Sequence, residues 1–141
     1  MLLFRDRHVA PILNGEKTQT RRSWARWKAN VGSLHWAATK LYRPEARFAR
    51  LAILERWEER LMDISEADAK AEGGYTVDRY IQLYMEITPA ADPEDVLKCL
   101  RFCVVPRNTG KVRIVREGEP LGLDTSIPYA TMLYDPGRQV A

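Results

Sequence analysis

The sequence has few of the residues that staple or metallate small proteins. It holds two cysteines and two histidines among 141 residues. Cys99 and Cys103 stand four apart, a spacing that puts both on one face of a strand without the geometry of a bridge. Reduced thiols in a core strand, and a reducing cytoplasmic compartment, are the expectation. With only His8 and His35 besides, no four-ligand zinc spacing exists, so neither a metal nor another cofactor is expected. Long apolar runs are missing as well, none approaching the roughly 18 residues that cross a bilayer. The opening MLLFRDRHVAPIL carries arginines and lacks a small-residue cleavage site, so it does not read as a secretory signal. No internal repeat and no low-complexity tract is visible, which sets repeat architectures aside.

What is present fits one soluble domain. Hydrophobic residues make up 45% and charged residues 29%, close to the globular average. The net charge of +3 hides an asymmetry: residues 1–50 carry a net +8, residues 51–98 a net −7 and the remainder +2. Two readings stay open. One is a cationic face suited to a phosphate-bearing partner, the other a neutralisation of the two halves across the fold.

Periodicity divides the chain into short elements. Leu2-Leu3-Phe4 opens a strand. Val9, Ile12 and Leu13 form a helical stripe stopped by Asn14-Gly15, with Pro11 tolerated only in the first turn. Residues 16–22 (EKTQTRR) and 34–41 read as strands, with residues 23–29 (SWARWKA) an irregular link between them. Arg47–Trp57 alternates well enough for a long strand, the favoured reading, although its length also allows a helix. Ser65 caps a helix closed by Gly73-Gly74, and Thr76 caps a second one carrying the stripe Val77, Tyr80, Ile81, Tyr84 and Met85. Pro89 and Pro93 end it. Residues 96–105 (VLKCLRFCVV) form the most apolar stretch, a buried strand. Pro106 to Ala141, with Pro106, Pro120, Pro128 and Pro136, reads as an extension built of one strand or hairpin plus an arm.

One segment concentrates chemistry. After the Gly15 turn, Lys17, Thr18, Thr20, Arg21 and Arg22 fall within six positions. Strand geometry places Lys17, Gln19 and Arg21 on one face and Thr18, Thr20 and Arg22 on the other. A desolvated lysine beside a threonine can act as base for the hydroxyl, provided the strand buckles enough to bring Lys17 and Thr20 into one pocket. The plainer alternative is an exposed cationic strand with threonines chosen for β propensity. Arg21 and Arg22 suit phosphate, or else guard an edge strand. Trp24 and Trp27 interleave with Arg26 and Lys28, a pattern suited to base stacking with phosphate attraction; Trp24 is the one expected to be exposed, and Trp36 to lie in the core. His35 reads as a hydrogen-bonded structural histidine.

The motif Gly15-Glu16-Lys17-Thr18-Gln19-Thr20-Arg21-Arg22, the turn at Val31-Gly32 and the run from Asp63 through Gly73 (DISEADAKAEG) together resemble the ASCH domain family, relatives of the PUA fold. The likeness spans residues 1–105, leaving 106–141 as an extension of unassigned role. It implies an α+β fold, a small mixed PUA-like β-barrel of five or six strands with two or three flanking helices. It also implies RNA or modified-nucleotide binding in a cationic cleft, with Thr18, Arg21, Arg22, Trp24 and Lys28 as ligand contacts and a monomer or homodimer as the assembly. Some members resemble amidohydrolases of N4-acylated cytidine; by position their catalytic group falls on Lys17, Thr20 and Glu72. Others are associated with ribonuclease-like action on RNA strands. Glu72, in the last turn of its helix, is raised above Glu66 or Asp68 by that resemblance alone, because the helix dipole disfavours an acid there.

Overall fold

The alternating apolar residues of Arg47–Arg60 form the longest strand of the computed structural model, which describes residues 1–119 and 130–139. The chain runs β1 (Leu2–Leu3), α1 (Val9–Leu13), β2 (Gln19–Arg22), β3 (Leu34–Ala38), β4 (Arg47–Arg60), α2 (Glu66–Ala71), α3 (Val77–Ile87), β5 (Val96–Val105), β6 (Val112–Arg116) and β7 (Thr131–Asp135). The first five strands make one sheet in the order β1-β3-β4-β5-β2. β1 runs parallel to β3 and the other pairings are antiparallel. Register shifts between Ala37 and Ala38 and between Ile53 and Glu55 bend the sheet. The result is a curled half-barrel of five strands, within the range that the sequence indicates, and its two edges are β1 and β2.

The concave side is filled by Leu2, Phe4, Ile12, Ala37, Leu51, Ile53, Leu100 and Phe102. A second cluster of Leu61, Ile64, Ala69, Tyr80 and Leu97 seats the two longer helices against one end of β5. Burying each Leu, Ile or Phe among them contributes about 1.5–3 kcal/mol. Both helices start as their caps dictate: Ser65 Oγ accepts from Asp68 N and Thr76 Oγ1 from Arg79 N. Pro11 sits in the first turn of α1, where its missing N–H leaves no bond unmade. Gly73 and Gly74 both take positive φ, 141° and 86°, and close α2 with Gly74 N donating to Lys70 O at 2.7 Å.

Beyond residue 105 the chain forms a two-stranded parallel sheet, β6 with β7, in place of the expected strand or hairpin. A hairpin requires antiparallel neighbours. Here the strands are joined across residues 120–129, which lie outside the described residues along with Pro120 and Pro128. Asp135 at the end of β7 is buried, and Arg101 of β5 donates to its two carboxylate oxygens at 2.7 Å each.

Candidate functional site: a cleft at the sheet seam

Edge strands β1 and β2 approach each other without pairing. Arg22 spans the seam: its Nη2 donates to Leu3 O at 2.7 Å, its Nε to Thr20 Oγ1 at 3.0 Å, and its guanidinium carbon lies 5.0 Å from the centre of the Phe4 ring. Beside this bridge opens a cleft of about 250 Å³. Lys17, Thr20, Arg22 and Glu72 line it, with Phe4, Tyr80 and Tyr84 as its aromatic surface and Arg5, Arg7 and His8 at its mouth.

The cleft's base is an ion pair made by a backbone tether. Thr18 N donates to Ala71 O at 2.8 Å, which lays the start of β2 along the C-terminal end of α2. Lys17 Nζ therefore reaches both Glu72 O, at 2.8 Å, and Glu72 Oε2, at 2.9 Å. The lysine neutralises the carboxylate and also satisfies a helix-end carbonyl, which is why an acid is tolerated at that terminus. Both side chains are buried. Desolvation pulls the Lys17 amine below the ordinary lysine range, with the Glu72 charge and hydrogen bond acting in the opposite sense. Burial likewise pushes the Tyr80 phenol upward, so it stays protonated.

Arg21, on the same face of β2 as Lys17, is wholly enclosed. It contacts Glu59, lies 3.4 Å from Glu72 Oε1 and 3.6 Å from Asp68 Oδ2, and sits 5.7 Å from the Trp57 ring centre. Gln19 Nε2 donates to Asp68 Oδ1 at 2.8 Å. The basic and acidic stretches of the sequence thus neutralise each other here, and the cations that stay uncommitted lie elsewhere. Arg5 and Arg7 are exposed and form no ion pair among the described residues.

The residues singled out in the sequence separate accordingly. Lys17, Thr20, Arg22 and Glu72 converge on one cleft. Arg21 borders it, but three carboxylates hold its guanidinium, so it is not free for a phosphate. Thr18 faces away, lining two hollows of about 300 and 340 Å³ on the other side of β2. Trp24, expected to be exposed, is half-buried against the core, with Arg22 and Lys28 cations 6.0 and 5.8 Å from its ring centre. So large an apolar surface gains more from packing than from water. Neither Trp24 nor Lys28 lines the cleft. Trp36, expected in the core, lies half-buried beneath arginines on the outer face. His35 does make a structural contact, 2.7 Å from Ser33 Oγ.

Several cleft residues carried no functional signal in the sequence. Phe4 looked like the end of a strand, and Tyr80 and Tyr84 belong to a stripe that reads as helix packing. The stripe does pack against the second core, and its tyrosine edges then face the seam. Arg5 and Arg7, only two apart beside a strand, were the one available hint of a basic rim.

No family model matches the sequence, and no curated protein matches it. Solved structures do share the fold. A protein from Enterococcus faecalis described under the family model DUF984 has a TM-score of 0.60 at 21% identity, covering 74% of each chain. An ASCH domain from Lactobacillus crispatus has a TM-score of 0.57 at 16% identity, over 68% of this chain and 69% of that one. A mutant ASCH protein from Zymomonas mobilis has a TM-score of 0.52 at 13% identity, over 72% of this chain and 66% of that one. Among the described residues no helix is long and apolar enough to cross a membrane.

Proposed function

We propose that this chain, which has the fold of the ASCH domains, binds RNA or a modified nucleotide in its seam cleft. The observation that carries the proposal is the cleft's layering: a buried Lys17–Glu72 pair at the base, Phe4 and Tyr84 as apolar wall, and at the mouth Arg5 and Arg7, without an ion pair among the described residues. A nucleobase needs an apolar slot with a few fixed donors and acceptors, and its phosphate needs cations that no carboxylate has already claimed. Glu72 and Thr20 supply acceptors at the base edge; Arg5 and Arg7 supply charge outside. Affinity for cytidine monophosphate in calorimetry is to fall as salt rises, and to fall several-fold in Arg5→Ala/Arg7→Ala. Salt-independent binding would exclude the rim's role.

A second reading, hydrolysis of an amide on N4-acylated cytidine, is favoured by one specific contact. Lys17 Nζ, with its pKa lowered by burial, lies 2.9 Å from Glu72 Oε2 in the cleft that Thr20 also lines. In that reading neutral Lys17 takes the Thr20 Oγ1 proton and Thr20 attacks the acyl carbon. Lys17 hands that proton to Glu72, which passes it to the departing cytosine nitrogen as the C–N bond breaks, and water then cleaves the threonine ester. The resting arrangement suits binding better, because Lys17 is committed to Glu72 and Thr20 to Arg22, with no Lys17–Thr20 hydrogen bond. Release of acetate from N4-acetylcytidine by the wild type and not by Thr20→Ala would establish the hydrolase.

A further inference from the structure

The outer face of the sheet carries a group of cations that the cleft does not use. Trp36 of β3 stands directly opposite Arg50 of β4, and Arg50 stands opposite Val105 of β5. Arg107 follows Val105 by two residues in the turn after β5, and Arg47 opens β4 opposite Ala38. All three guanidiniums gather over one indole: their central carbons lie 5.3 Å (Arg47), 4.9 Å (Arg50) and 4.9 Å (Arg107) from the Trp36 ring centre.

Such a cluster concentrates like charge, which ordinarily recruits carboxylates. Among the described residues none forms an ion pair with any of the three, in contrast to Arg21, Arg60 and Arg101, which are all paired. Nor do they donate hydrogen bonds to described residues, and Nε of Arg47 and Nε of Arg50 are buried without a partner. An unpaired buried donor is costly. Stacking on the indole offsets part of this and fixes the guanidinium planes. The remaining nitrogens are donors that no acceptor among the described residues takes up. Because cations already occupy the indole, the surface does not stack a base on Trp36; it offers forked donors to anionic oxygens.

The position of the cluster identifies the polyanion it fits. Leu3, on the cleft wall, pairs with Ala38, two residues along β3 from Trp36. A single edge strand, β1, thus lies between the cleft wall at Leu3 and β3, the strand that carries Trp36. A strand with one base in the cleft would cross β1 and carry its next phosphates onto the outer face. We infer that Trp36, Arg47, Arg50 and Arg107 form a backbone-phosphate site for a single-stranded nucleic acid that also occupies the seam cleft. The inference rests on the nucleotide reading of the cleft, and it extends the ligand from one nucleotide to a short strand.

The test compares a fluorescein-labelled octauridylate with uridine monophosphate on the wild type and on Arg47→Gln/Arg50→Gln/Arg107→Gln, a change that keeps long stems over Trp36. Melting curves check folding. Arg107 is exposed, so Arg107→Glu alone serves as a second variant that leaves the sheet intact. The triple variant is expected to weaken octauridylate about tenfold and to flatten its log–log salt slope by about 2, as for three single-strand phosphates at roughly 0.7 each. Arg107→Glu is to weaken it several-fold, and monophosphate affinity is to stay unchanged in both. Octauridylate affinity that neither variant alters would overturn the inference. So would wild-type binding to vesicles of phosphatidylglycerol that octauridylate cannot displace. Absence of monophosphate binding, with octauridylate still weakened in the variants, would uphold the outer site while removing the cleft reading.

Discussion

At the scale of single residues, the buried charges differ in whether they have a second partner. Glu72 is held by both Lys17 and Arg21, whereas among the described residues the Lys17 ammonium has Glu72 alone as a charged partner. Removing either partner of a buried pair strands the other. Glu72→Gln is therefore expected to destabilise by about 3 kcal/mol or more, and Lys17→Met by clearly less, since Arg21 still neutralises the acid. Urea unfolding of the two variants checks the order; a larger loss in Lys17→Met would contradict it. His8, at the cleft mouth, makes a pH prediction. Desolvation first, then the neighbouring cations beginning with Lys17, lower its pKa from 6.5 to about 4. The neutral form is favoured in the fold, so the stabilisation is full above pH 6.5 and is lost as pH falls toward 4. The melting temperature of the wild type should drop faster than that of His8→Gln across that interval. Parallel curves would show that His8 is solvated.

At the scale of elements, the helices were the most legible part of the sequence because their signals are local. Ser65 and Thr76 are read directly as caps, and Gly73-Gly74 as a stop. The strands were recognisable one by one from apolar alternation, yet nothing in residues 19–22 announces that β2 pairs with β5 and leaves the seam open against β1. Pairing order is set by the whole sheet's burial, and sequence periodicity within one strand does not carry it. The same limit explains Trp24 and Trp36: an aromatic residue next to basic residues reads alike whether packing or solvent covers it. Lys17, Thr20 and Glu72 were grouped by resemblance, and their meeting depends on the Thr18–Ala71 backbone bond, which leaves no mark in composition. The α2 stop yields a test. Gly74 has φ +86°, so Gly74→Ala should destabilise by about 1–2 kcal/mol. Gly110→Ala, at a site with no positive φ and no heavy atom within 4 Å, should be nearly neutral. Equal effects would remove the backbone argument.

At the scale of the whole molecule, the five-stranded sheet and the following segment are joined by charge. Arg101 of β5 and Asp135 of β7 form a two-pronged pair, and Arg138 stacks 3.9 Å from the Trp57 ring centre while reaching Asp68 at 3.5 Å. The hydrogen bonds from Arg101 hold the Asp135 carboxyl below its usual range, so this contribution is present at neutral pH and lost on acidification. Asp135→Asn is expected to speed trypsin cleavage after residue 106 by an order of magnitude while leaving mononucleotide affinity within about twofold, since none of these side chains lines the seam cleft. Unchanged proteolysis would mean that the pair does not fasten the segment.

The seam cleft itself is tested most directly by amide chemical-shift mapping with cytidine monophosphate. Nucleotide seated in the cleft gives saturable shifts confined to residues 3–8, 17–23, 72–75 and 80–88, weakened by salt and by Arg5→Ala/Arg7→Ala. Shifts centred instead on the hollows beside Thr18, or none at millimolar nucleotide, would contradict it.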